Sequence, residues 1–153
     1  MSKENILQHL DTNWQTLVDS ISGLSEEDLL KSDVCGTWSI RDLLNHISTW
    51  EEEAMQNIPF ILAGESTPRY SATGGIEAFN ARSQHDKKEL TLSRIKRVFY
   101  ATHQRFIDYV SSIPQSSFEN NSRLAKRIRL DGYAHYAEHS AQILQWRHRN
   151  QNI

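Results

Sequence analysis

The sequence predicts an all-α chain, a four-helix bundle with a crossover connection. Three observations predict it. Apolar residues recur at three- and four-residue steps over long stretches, as one buried helix face requires. Cap residues and helix stops bracket those stretches. Glycine and proline are few, six and three in 153 residues, which disfavours a many-turned β-sandwich. The length suits one domain, residues 1–153.

The first helix is expected over residues 3–22, with Ile6, Leu10, Trp14, Leu17, Val18 and Ile21 as its buried stripe and Gly23 as its stop. Ser25-Glu26-Glu27-Asp28 reads as a short capped turn, and residues 31–38 as a loop. Ser39 is a good N-cap for the second helix, and Asp42 makes an acidic capping box. Leu43, Leu44, Ile47, Trp50, Ala54, Ile58 and Ile61 form its inward stripe, with Pro59 as a kink and Gly64 as the end.

Residues 64–75 are the longest connection, which suits a crossover rather than a tight antiparallel turn. A third helical region follows over Ile76–Ile113, broken near Thr91 or Ser93, and Pro114 stops it. Ile95, Val98, Phe99, Phe106 and Val110 are its apolar face. The last helix is expected from Leu124 to His148.

Charge and composition exclude several classes. The net charge of −2 disfavours a uniformly basic nucleic-acid binder, so no nucleic-acid partner is expected. No stretch approaches the ~20 apolar residues that span a bilayer, so no membrane partner is expected. The first residues, Met1 to Asn5, carry no apolar signal core, and the lone Cys35 suits a reducing compartment. A cytoplasmic location is the expectation.

The chemistry concentrates on three histidines. His135 and His139 stand four apart on the last helix, so their side chains leave one face a turn apart. Ile128, Gly132, Ile143 and Trp146 extend that stripe. His46 lies between Leu43 and Trp50, on or beside the inward stripe of the second helix. Imidazole is a common ligand for nickel, zinc, iron and copper. Three imidazoles would hold a divalent ion at three corners and leave a position open for water or substrate. A His-x-x-x-His pair also arises on helices by chance, as hydrogen-bonded core histidines.

Two stretches carry a family resemblance. Thr37-Trp38-Ser39-Ile40-Arg41-Asp42-Leu43-Leu44-Asn45-His46 resembles the second-helix opening of the DinB-like (DinB/YfiT) superfamily. His135-x-x-x-His139-Ser140-Ala141-Gln142 resembles its other motif, a histidine pair with glutamine three residues later. Ser140-Ala141 stand where the family often has Arg-Gly. Gly75-Ile76-Glu77-Ala78-Phe79-Asn80-Ala81-Arg82 looks like the ClbS/DfsB-type branch of that superfamily. The resemblance implies a four-helix bundle with a crossover and a divalent metal (nickel, zinc, iron or manganese) on His46, His135 and His139. It also implies activities such as thiol-dependent transfer, and suggests Asn80 and Arg82 as cavity residues.

Other polar groups read as surface. Glu51, Glu52 and Glu53 look like a solvated acidic face, with only Glu53 on the face of His46. Tyr136 and Glu138 point away from the pair, and Glu138 is expected to be exposed. Arg123, Lys126, Arg127 and Arg129 are expected to be a solvated or salt-bridged cluster, or to recognise a substrate carboxylate. Cys35 has no activating partner in sequence. His9, His85, His103 and His148 show no pairing pattern.

The expected function is a metal-dependent hydrolase or thiol-dependent transferase acting on a small molecule, with a low-molecular-weight thiol as a second partner and a homodimer as an open option. The alternative is a non-catalytic resistance protein that sequesters a small compound in the bundle cavity. An interaction module built on exposed helix faces has no positive support.

Overall fold

In the computed structural model, which describes residues 1–151, long helices α1 (Lys3–Ser20), α3 (Ile40–Leu62) and α5 (Leu92–Ser112) are joined by a fourth, interrupted one. That fourth helix comprises α7 (Ser122–Ile128), a π-helical segment (Arg129–Tyr133) and α8 (Ala134–Gln151). Short α2 (Glu26–Leu30) and α6 (Ser116–Glu119) sit in the links, and α4 (Gly75–Asp86) follows a 3-10 turn at Tyr70–Thr73. Among the described residues there is no strand, only an isolated bridge between Cys35 and Trp38.

The caps form as the sequence implies. Ser39 and Asp42 make a reciprocal capping box on α3, and Ser25 and Asp28 make one on α2. Thr91 caps α5, so the third helical region does break there. α1 ends at Ser20, two residues early, and α3 runs through Pro59 to Leu62. All seven predicted stripe residues of α3, from Leu43 to Ile61, are buried.

Side-chain bonds fix the helix directions. Arg41, at the start of α3, donates to the carbonyls of Lys87 and Leu90 just before α5, and further along His103 reaches Glu51. α3 and α5 are therefore parallel neighbours, and the long connection is a crossover. α4 runs back along α3 within it: Gln84 donates to the Asp42 carbonyl, and Trp50 to Asn80. α1 and α8 are likewise parallel, with Asn13 on the Tyr133 carbonyl and Arg147 on those of Ser20 and Ser22.

The last helix departs from expectation. It starts at Ser122 and is not regular: Gly132 has φ −114° and ψ −110° inside the π segment. A Cβ at Gly132 would lie 2.7 Å from Leu10 Cδ2 and 3.4 Å from Phe106 Cε2. The absent Cβ of Gly132 thus lets side chains of α1 and α5 approach the chain just before His135, and π-bulges of this kind recur at functional sites.

Candidate metal centre

His46, His135 and His139 meet in the bundle. Each offers one nitrogen to a group whose members lie within 4.8 Å of one another. α3 supplies His46 and α8 supplies the other two, one turn apart. His46 and His139 are buried, and His135 is partly exposed at the edge of a cavity.

His46 Nε2 and His135 Nε2 stand 2.9 Å apart. Two nitrogens bound to one ion at about 2.0–2.1 Å are separated by about 2.9–3.4 Å. His139 is already oriented: its Nδ1 lies 2.7 Å from Gln142 Oε1. Donating that proton leaves Nε2 with its lone pair, and Nε2 is buried with no partner. A carbonyl oxygen that fixes the tautomer in this way is a usual companion of a metal-bound histidine. The indole of Trp38 packs on His46 at 4.8 Å. A buried, partnerless Nε2 on His139 beside the close His46 and His135 Nε2 atoms leaves a place that a cation fits.

Electrostatics keep the imidazoles neutral. Burial, reinforced by His139, pushes His46 down to about 3, and burial with both neighbours pushes His135 to about 2. His139 is lowered by burial against the opposing pull of Gln142. Neutral imidazole is the form that binds metal.

A cavity of about 400 Å³ opens beside His46 and His135, walled by Trp50, Tyr70, Arg127 and Asp131. Tyr70 Oη donates to Glu53 Oε1 at 3.1 Å and accepts from Arg127 Nη2 at 2.9 Å. Arg127 Nε lies 2.5 Å from Asp131 Oδ2. Burial raises the Asp131 carboxyl to about 6 even against Arg127. A second hollow, about 720 Å³, is lined by Arg123, Lys126 and Arg129 and lies away from the histidines.

Several sequence expectations change here. Glu51 is not on a solvated face; it is fully buried, and its Oε2 accepts from Tyr136 Oη at 2.6 Å and pairs with His103 Nδ1 at 2.8 Å. His103 is buried and stacks on Trp14 with centroids 3.5 Å apart. Glu52 faces Arg105, and Glu53 belongs to the cavity wall through Tyr70. Tyr136 does point away from the triad, and Glu138 is exposed. Arg127 leaves the basic cluster for the cavity. Asn80 borders it, whereas Arg82 instead holds the Thr73 carbonyl. Burial and the charge of Glu138 push the Cys35 thiol up, so it is not an activated nucleophile. The Arg127–Asp131 spacing of four was the one local signal for that wall. Tyr70, Glu51 and His103 had none, because their partners lie on other elements.

A family model described as the DinB superfamily matches residues 9–146. No curated protein matches the sequence. Among solved structures, "Sibling Lethal Factor Precursor - DfsB" superposes with a TM-score of 0.80 at 16% identity, covering 98% of both chains. An uncharacterised protein from Escherichia coli UTI89 gives 0.78 at 17%, over 99% of this chain and 95% of that one. The colibactin self-resistance protein ClbS, solved in complex with a dsDNA, gives 0.77 at 12%, over 94% of each. At these identities the likeness is one of fold. Among the described residues no helix is long and apolar enough to cross a membrane.

Proposed function

The chain belongs to the DinB superfamily, and from that premise we propose that it holds a divalent metal on His46, His135 and His139 and acts on a small molecule in the adjoining cavity. The observation that carries this reading is the buried, partnerless Nε2 of His139, held lone-pair-inward by Gln142 and facing two further imidazoles. Nickel, zinc, iron and manganese all accept such ligands. A bound ion there would supply a Lewis acid and lower the pKa of water or a thiol.

The protein's own part is to orient and to exclude water. Gln142 fixes the tautomer of His139. Trp50 and Tyr70 give the substrate an apolar wall. Arg127 and Asp131 place one donor group and one carboxyl beside the triad. Asp131, raised to about 6, can hold or release a proton near neutral pH. The reaction classes in view are hydrolysis and thiol-dependent transfer.

A second reading has a specific support: one solved relative is described as a self-resistance protein. On that reading the cavity sequesters a small toxic compound without turnover. That relative also holds DNA, which weakens an exclusion of nucleic acid resting on a net charge of −2 alone.

Thermal melts of tag-free protein with each divalent metal test the reading. A metal that binds only the folded chain raises its melting temperature. We expect a rise with at least one of the four metals, lost in His135→Ala. No shift with any of them contradicts the metal-dependent reading and favours sequestration.

A further inference from the structure

The cavity beside the triad has unspent hydrogen-bond donors, and they define its ligand. Trp50 Nε1 donates to Asn80 Oδ1 at 2.8 Å. An indole nitrogen only donates, so Asn80 must offer it oxygen. Its amide NH2 is left over, with no acceptor among the described residues. Arg127 donates Nη2 to Tyr70 and faces Asp131 through Nε as an ion pair outside hydrogen-bond geometry, and its Nη1 has no acceptor among the described residues. Asn80 comes from α4 and Arg127 from α7, so two free donors border one cavity from different walls.

Besides the two histidines and Asp131, the rest of the lining is aromatic or aliphatic. Trp50, Tyr70 and Phe79 pack on one another with centroids 4.9–5.5 Å apart. At the rim, Ile76 is 53% and Leu130 48% exposed. Both line this cavity, one from α4 and one from the π segment. Large aliphatic side chains left in water around a concave site mark a surface that a ligand covers.

We propose that the cavity binds an amphipathic acyl compound. Its carbonyl or carboxylate oxygens accept from Asn80 Nδ2 and Arg127 Nη1, and its hydrocarbon body leaves between Ile76 and Leu130. This names the substrate class for the cavity read above as the substrate site, but it does not depend on a metal. A cationic head is disfavoured, because it leaves both donors unpaired and meets the Arg127 charge, while the carboxyl in the lining, Asp131, is already paired with Arg127.

Isothermal titration calorimetry on the full chain tests this, once after chelator treatment and once after zinc loading. The probes are 4-phenylbutyrate, its primary amide, and 4-phenylbutylamine. The acid and the amide should bind the stripped chain about tenfold more tightly than the amine. The acid exceeding the amide identifies a carboxylate ligand; equal affinities identify an acyl amide. Asn80→Asp keeps an oxygen for Trp50 but removes the donor and adds a negative charge, whereas Asn80→Ala removes the donor with no added charge; both should weaken the acid about tenfold or more. Ile76→Ser and Leu130→Ser, at exposed positions that leave the core intact, should erase a preference for octanoate over butyrate. The proposal is overturned if the stripped chain binds neither acid nor amide, if the amine binds as well, or if Asn80→Ala changes nothing. Loss of metal binding alone leaves these titrations intact. Failed titrations on a chain that does load zinc sink the substrate class alone.

Discussion

Two polar clusters are buried in this bundle, and α8 contributes to both. Tyr136 turns one way, toward Glu51 and His103. His135 and His139 turn the other, toward His46. In the first cluster the hydroxyl and the imidazole both converge on Glu51 Oε2, and Trp14 stacks over His103; only Glu51 Oε1 lacks a partner. In the second, the nitrogens of three rings face one another, with His139 Nε2 and His135 Nδ1 unpaired. Oxygen acceptors meeting hydrogen donors make a structural set, closed but for that one carboxylate oxygen. Three imidazoles facing one another, with the His139 Nε2 lone pair unmatched, leave a set that a cation would complete. One helix thus contributes to a brace on one side and, on the side that opens to a cavity, to a candidate binding site.

Four perturbations break or sharpen that contrast. The largest effect is expected from Glu51→Ala, which strands Tyr136 and His103 in a fully buried place. We expect a loss of about 3–5 kcal/mol in urea unfolding, with the folded fraction still binding metal. If stability holds and metal binding falls, the roles are reversed. Gly132→Ala comes next. Its Cβ would press on Leu10 and Phe106, and overpacking of this kind costs about 1–3 kcal/mol. Metal affinity that survives this change shows that the two clusters are set independently.

Gln142→Leu acts on the other cluster. Removing the acceptor for His139 Nδ1 should weaken metal binding by about 10–100-fold, read by competition with a chromophoric chelator, while the metal-free melting temperature stays near wild type. The smallest effect is a pH slope. The folded chain holds the Asp131 proton up to about pH 6, where the ordinary value is 3.8. The stability this lends is full below pH ~4 and is lost as pH rises through ~6, because the unfolded carboxyl ionises first. Urea unfolding from pH 4 to 6.5 should show a decline on the order of 1 kcal/mol that is absent in Asp131→Asn.

Local signals carried most of the fold. The stripes of α1, α3 and α5 rest on helical periodicity, and the caps at Ser39 and Thr91 need only neighbours three residues away. The triad was legible for the same reason: its pair shares one helix face, and His46 sits on a clear stripe. The π segment was not, because a regular helix through Gly132 keeps a plausible apolar stripe. The close approach that requires glycine at 132 comes from Leu10, far away in sequence. Glu51 was misread because a run of three glutamates looks solvated, and the partners that make its burial tolerable come from α5 and α8. Tyr70 reaches the cavity from a loop, where no periodicity points anywhere.

The central claim is that the three imidazoles form one metal site. Elemental analysis of tag-free protein, chelator-stripped and then dialysed against each candidate metal, tests it most directly. About one ion per chain is expected for at least one metal, and none in His139→Ala, with its fold checked by far-UV circular dichroism. Protein that retains no ion from any of them, or His139→Ala that binds as much as wild type, would contradict it.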